Sequence, residues 1–339
     1  MFLTFYFHVS LCKEIKVIEY YMTKNQPDCS VIVSIFNESE TIPAFYETLL
    51  SVLSPLGSTY EIIFVNDGST DNSLHLLKEI ASKNNAVTII SFSTNFGHEA
   101  AMTAGIDYAK GEAVICMDGD LQHPPAMIPQ MLDKKNEGFD VVNMIRTKRH
   151  DGSLIQRINS KLFYKVINSI SSVKLAENAS DFFLISDEVA NVLRTNYRER
   201  TRFLRGIIQI IGFKKTTLDY EAKQRVAGKS KYSFFKLLML SLSAISSFSK
   251  LPLQLGIISG IMFGIISLIL IIYSIVMWIL ETPVSGYTTL IVFLSAFAAI
   301  LLFVIGIIGQ YIGYIFDEIK KRPIYIVEGI INLKTDEEK

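Results

Sequence analysis

The residues best suited to chemistry are Asp118 and Asp120, which flank Gly119 directly after the apolar run Ala113–Met117. Two carboxylates at this spacing repel each other unless a cation or a proton holds them together. Hard divalent cations take oxygen ligands, and Mg²⁺ commonly uses one or two carboxylates together with substrate phosphates. An isolated Asp-x-Asp pattern is frequent in surface loops, but the strand before it and the turn Leu121–Pro125 after it favour a metal and diphosphate site.

The elements that position this acidic pair alternate along the chain. Short apolar, β-branched runs predict strands, and segments with helical spacing follow them. The predicted strands are Val31–Ile35, Glu61–Val65, Val87–Phe92 and Ala113–Met117, and the predicted helices lie within 45–53, 74–80 and 99–109. Strands that alternate with helices predict an α/β fold with a mostly parallel sheet.

Polar residues follow each predicted strand. Asn37 and Glu38 come after the first strand, Asn66 and Asp67 after the second, and Asn95 after the third. Ligands of such sheets bind at the carboxyl ends of the strands. Surface loops also collect polar residues by chance, but four polar clusters at one sheet edge favour a single nucleotide site.

Composition indicates that part of the chain lies in lipid. Half of the 339 residues are hydrophobic, and the mean hydropathy of +0.33 is high for a wholly soluble protein. The 33 basic and 33 acidic residues balance, so no global positive field indicates nucleic acid as a partner. Cys12, Cys29 and Cys116 have no metal-like spacing, which predicts reduced thiols in a cytoplasmic domain.

Two charge-free stretches, 251–280 and 288–316, each exceed the roughly 20 residues that a helix needs to cross a bilayer, and they predict two transmembrane helices. Helices buried in a soluble core are the alternative. Basic residues flank the pair and are absent from the connecting loop, which predicts that both ends face the cytoplasm. These residues are Lys229, Lys231, Lys236, Lys250, Lys320, Lys321 and Arg322.

Two further segments mix apolar and polar residues. The segment 233–250 predicts an amphipathic helix that lies at the membrane interface before the first span. Residues 160–170 show a similar mixture, for which an ordinary core helix is an equal alternative. Glycines recur every fourth residue in the first span, at Gly256, Gly260 and Gly264, a pattern that weakly favours a homo-oligomer.

Seven motifs occur in a familiar order: Ser30–Glu40, Glu61–Asp71, Asn95–Gly105, Met117–Pro125, Arg146–Arg149, Gly228–Tyr232 and Arg322–Tyr325. Together they resemble the motifs of family 2 glycosyltransferases of the polyprenyl-phosphate type. This group includes bactoprenol glycosyltransferases and, more distantly, dolichol-phosphate mannose synthase. The resemblance covers nearly the whole chain. It implies a GT-A fold, a nucleotide-sugar donor, an inverting displacement at the anomeric carbon, and polyprenyl phosphate, such as undecaprenyl phosphate, as the acceptor.

The resemblance also implies roles for particular residues. Asp118, Asp120 and Gln122 match the metal and diphosphate site, which takes Mg²⁺ or Mn²⁺, and Asn37, Glu38 and Asp67 match positions that bind the nucleoside. Asp181 falls where a related acid lies close to the reacting centre, so Asp120 and Asp181 are the expected catalytic residues. The positions expected around the donor and acceptor phosphates are Arg146, Arg157, Arg225, Ser230 and Lys231. A basic patch that only attracts anionic lipid is the alternative for Gly228–Lys231.

Five residues depart from the family pattern. Ser34 stands in place of a Pro, Phe36 in place of a Tyr, Asn66 in place of an acid, and Thr94 and Phe183 stand where Arg is frequent. The last two changes affect sugar or phosphate contacts, so the donor cannot be copied from a relative. UDP-glucose and UDP-N-acetylglucosamine are favoured. His98 and His123 lie inside matched motifs but are assigned no role, because a lone loop histidine is more often structural.

The implied organisation is that of a bacterial membrane enzyme. It comprises an N-terminal extension 1–29 with Met22 as a candidate start, a cytoplasmic GT-A domain 30–232, an interfacial segment 233–250, spans 251–280 and 288–316, and a cytoplasmic tail 317–339. A processive polysaccharide synthase is disfavoured, because those enzymes share a Gln-x-x-Arg-Trp motif and the only tryptophan here is Trp278, within the first span. Transfer to a protein or glycan acceptor, and a non-catalytic membrane scaffold, are the remaining alternatives.

Overall fold

The structure is a computed structural model that describes residues 26–147, 179–200, 202–221, 251–280 and 286–333. Residues 1–25 of the predicted extension and the segments 160–170 and 233–250 lie outside these ranges. Arg157, Arg225, Ser230 and Lys231 also lie outside them. The chain forms two compact units, of which the second contains the two long C-terminal helices.

The first unit is built on one mixed sheet. Its strands are β1 (Cys29–Ile35), β2 (Tyr60–Asn66), β3 (Val87–Phe92), β4 (Ala113–Asp118), β5 (Val141–Arg146), β6 (Ala179–Ser186), β7 (Lys215–Tyr220) and β8 (Val327–Ile331). They form an eight-stranded sheet in the order β7-β5-β6-β4-β1-β2-β3-β8. β1 pairs in parallel with β2 and β4, as does β2 with β3 and β5 with β7, whereas β6 and β8 run antiparallel to their neighbours. The predicted α/β fold with a mostly parallel sheet is confirmed.

Within the described ranges six α-helices pack with this sheet, and the first three lie where the sequence pattern predicts them. They are α1 (Ile42–Leu53), α2 (Ser73–Lys83), α3 (His98–Tyr108), α4 (Ile128–Asn136), α5 (Asp187–Thr195) and α6 (Leu204–Ile210). α1 shows why they pack: its buried residues Ile42, Phe45, Leu49 and Leu53 recur at helical spacing and form one apolar stripe. That stripe joins a core built from the buried apolar side chains of the sheet.

Helix α3 approaches the sheet closely because its buried face consists of small residues. Ala100, Ala101, Ala104 and Gly105 are all buried, and a Cβ added to Gly105 would collide with the side chain of Ile32 on β1. A larger residue at position 105 would push the helix away from the strand. This close packing fixes the first residue of α3, His98, next to the carboxyl ends of the parallel strands.

The end of the chain contributes a strand to this sheet. β8 pairs antiparallel with β3, the ring of Tyr325 stacks on Phe92 with centroids 5.1 Å apart, and the Tyr325 hydroxyl donates to Asp107 Oδ2 at 2.7 Å. The strand β8 lies within the predicted tail 317–339 and was not predicted, although residues 324–331 have the apolar, β-branched composition of a strand.

The second unit contains α7 (Leu251–Ile279) and α8 (Tyr287–Ile319). These helices pack antiparallel: Phe263 contacts Phe293 and Phe297, with ring centroids 6.5 and 6.2 Å apart, and Gly256 lies against Val304. The apolar windows Gly256–Met277 and Val292–Ile319 have mean hydropathies of 2.6 and 2.8 and are not buried in the structure. Their length and composition are compatible with crossing a bilayer.

Candidate active site

Asp118 ends β4 directly opposite Ser34 on β1. Ser34 Oγ donates to Asp118 Oδ1 at 3.2 Å and lies 3.0 Å from His98 Nδ1, which is itself 3.4 Å from Asp118 Oδ1. Burial opposes ionisation of Asp118, but His123, His98, the Ser34 hydroxyl and Arg146 outweigh it and lower the pKa of this carboxyl. Asp118 is therefore held as a carboxylate. A proline at position 34, which the resemblance leads one to expect, has no hydroxyl and could not make this contact.

The loop after Asp118 is fixed by contacts at both ends. Thr41 Oγ1 donates to the carbonyl oxygen of Gly119 at 3.1 Å, and Asp120 Oδ1 accepts from the N–H of Gln122 at 3.0 Å. His123 Nδ1 accepts from the N–H of Asp118 at 3.0 Å. Burial lowers the pKa of His123, which keeps its imidazole neutral and able to accept this bond. The structure therefore gives His123 the structural role that the sequence analysis expects of a loop histidine.

Residues 118–122 form the acidic loop, and His98 connects this loop to β6. Its Nε2 lies 3.8 Å from Asp181 Oδ2, so the imidazole stands between Asp118 and Asp181. Burial disfavours the imidazolium, but Asp118, Asp181 and Glu99 outweigh this and raise the pKa of His98. This position for His98 is not predicted from the sequence. His98 begins a helix that follows the third strand, so it lies at this sheet edge. That position is the signal from which the sequence could have identified His98 as a site residue.

Arg146, at the end of β5, is poised for an anion. Its Nη2 donates to Gln122 Oε1 at 2.9 Å, while its Nε is buried without a hydrogen-bond partner in the described structure. A buried guanidinium with an unsatisfied N–H suits a phosphate oxygen, which accepts charge-assisted hydrogen bonds. Gln122, which the resemblance assigns to the metal site, therefore also anchors Arg146.

The acidic loop suits a metal ion that is shared with a substrate. Within the described ranges, no group of three or more His, Cys, Asp or Glu residues is arranged as a complete metal site. Asp118 and Asp120 offer carboxylate oxygens, the ligand type that Mg²⁺ and Mn²⁺ take, and Mg²⁺ completes such sites with substrate phosphates and water. The two acids therefore fit a divalent ion brought together with a diphosphate.

Asp67 points into the protein. Its carboxylate accepts from the N–H of Phe96 at 2.7 Å, the N–H of Gly97 at 3.0 Å and the side-chain amide of Asn95 at 2.9 Å. Burial nevertheless raises the pKa of Asp67. In this structure Asp67, assigned to nucleoside binding by the resemblance, holds the loop that leads into α3.

The residues after β1 mainly organise neighbouring loops. Asn37 has a φ of 55°, and its Oδ1 accepts from the N–H of Thr70 at 2.8 Å. Glu38 Oε2 accepts from Thr41 Oγ1 at 3.0 Å. Phe36 is 45% exposed at the end of β1, and it leaves an aromatic face at the sheet edge where nucleotides bind.

Glu99 joins helix α3 to helix α6. Its Oε2 accepts from the N–H of Leu204 at 3.0 Å, at the first residue of α6. Burial and the negative charge of Asp181 raise the pKa of Glu99 to about 7. The carboxyl is therefore close to half ionised at neutral pH.

The raised pKa of Glu99 predicts a pH-dependent stability. The folded protein keeps a proton that the unfolded chain releases between pH 4.5 and about 7, so Glu99 costs stability as the pH rises through this window. Glu99→Gln keeps an oxygen for the Leu204 N–H and has no charge. We expect it to stabilise the protein by about 1–3 kcal/mol at pH 8 and to have little effect at pH 4.5.

Thermal unfolding in detergent at both pH values measures this difference. Glu79→Gln is the matched control, because Glu79 is an exposed residue of α2 with a side chain that is 54% accessible. An equal rise in the stability of Glu99→Gln at the two pH values would show that ionisation of Glu99 does not cause the stabilisation.

The structure brings together most of the described residues that the sequence predicts for the site. The acidic loop, Arg146 and Asp181 lie at one sheet edge, connected through His98 and Gln122. The site residues that sequence analysis missed are Ser34, His98, Glu99 and Arg205, whose Nε lies 3.7 Å from Asp181 Oδ1. Ser34 carried a signal as a departure from the pattern of the first motif, and His98 and Glu99 lie within the matched motif Asn95–Gly105.

Comparisons with known proteins identify the family of this chain. Residues 30–194 match the sequence model of glycosyl transferase family 2. The chain is 37% identical over 302 residues to the glycosyltransferase YkcC of Bacillus subtilis, covering 88% of this chain and 93% of that one. It is 37% identical over 300 residues to the bactoprenol glucosyl transferase of Shigella phage SfII, covering 88% and 97%. It is 36% identical over 306 residues to a prophage homologue from Escherichia coli, covering 89% and 98%.

The chain therefore belongs to glycosyl transferase family 2. It is a glycosyltransferase, and the resemblance predicted from the motifs is confirmed. Family membership and the parallel core of the sheet also confirm the predicted GT-A fold, which two long apolar helices follow.

Two solved structures are similar at lower identity. The mannosyltransferase of Pyrobaculum calidifontis, in complex with GDP-mannose and Mn²⁺, gives a TM-score of 0.42 at 16% identity and covers 60% of this chain and 59% of that one. Glucosyl-3-phosphoglycerate synthase of Mycobacterium tuberculosis, in complex with Mn²⁺, UDP-glucose and phosphoglyceric acid, gives 0.43 at 18% identity and covers 67% and 79%.

Proposed function

We propose that this glycosyltransferase moves a sugar, with inversion, from a nucleotide-sugar donor to polyprenyl phosphate, with UDP-glucose or UDP-N-acetylglucosamine as the favoured donor. The observation that carries the proposal is the acidic loop at the end of β4 beside the buried, incompletely satisfied guanidinium of Arg146. This combination suits a diphosphate with a cation. The relatives that are named bactoprenol glucosyl transferases support the lipid acceptor.

The donor lies across the carboxyl ends of the parallel strands. Its base stacks on the exposed face of Phe36, and its diphosphate lies between the acidic loop and Arg146. Asp118 and Asp120 hold Mg²⁺ or Mn²⁺, which when bound neutralises charge on the departing nucleoside diphosphate. Arg146 donates its buried N–H to the same diphosphate.

The reaction needs no strong general base. An oxygen of the acceptor phosphate attacks the anomeric carbon, a new carbon–oxygen bond forms, and the bond from that carbon to the diphosphate breaks. The products are the polyprenyl phosphate sugar and a nucleoside diphosphate. Because the acceptor phosphate is already anionic near neutral pH, the protein contributes positioning and charge stabilisation. The carboxylate of Asp181 stabilises positive charge that develops at the anomeric centre.

The resemblance assigns the acceptor phosphate to four residues that lie outside the described ranges. Arg157, Arg225, Ser230 and Lys231 bind this phosphate, and α7 and α8 anchor the protein as two membrane spans. Basic residues before the first span and after the second support an orientation with the catalytic domain and both termini in the cytoplasm. The lipid-linked sugar then serves modification of a cell-envelope glycan.

Membranes that contain the full chain test the proposal. They are offered labelled UDP-glucose, UDP-N-acetylglucosamine or GDP-mannose, with and without undecaprenyl phosphate, and lipid-extractable label is counted. We expect label from one donor to enter lipid only when undecaprenyl phosphate is present. Label that enters protein or glycan instead would identify the alternative acceptor class. No transfer from any donor would contradict the proposed reaction.

A further inference from the structure

The two oxygens of the Asp181 carboxylate face two different basic side chains. Oδ2 lies 3.8 Å from His98 Nε2, and Oδ1 lies 3.7 Å from Arg205 Nε. These are ion-pair distances between side chains that are all less than 40% accessible, at 29% for Asp181, 37% for His98 and 29% for Arg205. A carboxylate between two such partners loses rotational freedom about its side chain.

The segment that carries Arg205 is fastened to helix α3. Leu204 N–H donates to Glu99 Oε2 at 3.0 Å, and Arg202 Nη1 donates to Thr103 Oγ1 at 2.5 Å. Both acceptors lie one helical turn apart on α3, the helix that also carries His98. One rigid helix therefore sets the positions of both basic residues that face Asp181.

We propose that Arg205 is a positioning residue for sugar transfer, acting through Asp181. With His98 it fixes the orientation of the carboxylate. Asp181 then presents a fixed negative charge to the anomeric centre, where positive charge develops as the leaving group departs. The inference rests on the proposed function, because that function places Asp181 at the reacting centre.

A purely structural role for Arg205 is the competing explanation. Arg198 and Asp107 form such a pair elsewhere in the same unit, at 2.6 Å, beside the C-terminal strand and without contact to the acidic loop. Arg198→Gln therefore serves as the matched control, since it removes an arginine–aspartate pair outside the site.

The test compares Arg205→Gln, Arg205→Lys and Arg198→Gln in the full-length protein. We expect Arg205→Gln to lower kcat about 100-fold, with KM for donor and acceptor changed less than about threefold. Arg205→Lys keeps the positive charge and should retain most of the kcat that Arg205→Gln loses. Arg198→Gln should keep the wild-type kcat. In an Asp181→Asn background, Arg205→Gln costs less than about threefold, because its partner is already gone.

Two results would overturn the inference. The first is that Arg205→Gln lowers kcat by the same factor in the wild-type and Asp181→Asn backgrounds. This result would mean that Arg205 acts independently of the Asp181 carboxylate. The second is a raised acceptor KM at unchanged kcat, which would make Arg205 an acceptor-binding residue. Release of nucleoside diphosphate without acceptor is measured in parallel. If wild-type protein hydrolyses donor but never labels lipid, the proposed acceptor fails, while the effect of Arg205→Gln on hydrolysis still tests the positioning role.

Discussion

Asp118→Asn is expected to lower the turnover number about 1,000-fold while the protein stays folded. The substitution keeps the shape of the side chain and an oxygen that can accept from the Ser34 hydroxyl, which lies 3.2 Å away in the wild-type structure. It removes the negative charge that His98, His123 and Arg146 stabilise. The loss should therefore appear in kcat, and the concentration of Mn²⁺ that gives half-maximal activity should rise.

Turnover of a purified preparation, titrated with Mn²⁺ and Mg²⁺, measures this effect. Asp133→Asn is the control, because Asp133 is an exposed aspartate on α4, outside the site. Thermal unfolding of both variants confirms that they fold. Wild-type turnover that persists in excess chelator would refute the metal role of Asp118, as would an Asp118→Asn variant with unchanged kcat.

Gly68→Ala is expected to destabilise the first unit strongly. Gly68 has a φ of 63°, and an added Cβ would lie 2.6 Å from Asn95 N and 2.7 Å from Thr94 O. The left-handed backbone costs an alanine about 1–2 kcal/mol, and overpacking adds about 1–3 kcal/mol. Because the atoms that collide belong to the backbone, a rotamer change cannot relieve the contact.

Gly57→Ala separates the cost of the left-handed backbone from the cost of overpacking. Gly57 has nearly the same φ, 65°, but no atom lies within 4 Å of an added Cβ. We expect Gly57→Ala to lower the unfolding midpoint by a few degrees and Gly68→Ala to lower it by roughly 10 °C. Gly68→Ala should also raise the donor KM, because it displaces the loop that Asp67 holds. Equal midpoints for the two variants would show that the loop yields without cost.

The parallel core was predictable from sequence because its signals are local. Each strand is a short apolar run, each helix has its own spacing, and the rule that ligands bind at the carboxyl ends of the strands places the polar motifs without any knowledge of contacts. The first two predicted strands, Val31–Ile35 and Glu61–Val65, lie within the observed Cys29–Ile35 and Tyr60–Asn66.

The contacts within the site were not predictable, because they join residues far apart in sequence. Ser34 is separated from His98 by 64 residues and from Asp118 by 84, so their meeting depends on strand register and on how closely α3 packs. Asp67 shows what a motif match leaves out. A motif match assigns it to the nucleoside, and the match does not reveal that its carboxylate also holds the loop before α3. A motif identifies the position but not the direction of the side chain.

The C-terminal strand affects how the protein is made. Thr88 on β3 and Asn332, just after β8, are hydrogen-bonded across 244 residues of sequence. At about 5–20 residues per second, a ribosome needs roughly 10–50 seconds to synthesise that interval. During this time β3 is an open sheet edge on a nascent chain, and such edges pair readily with other chains. Translation pauses or chaperones that act before residue 327 should therefore influence the yield of native protein more than those that act after it.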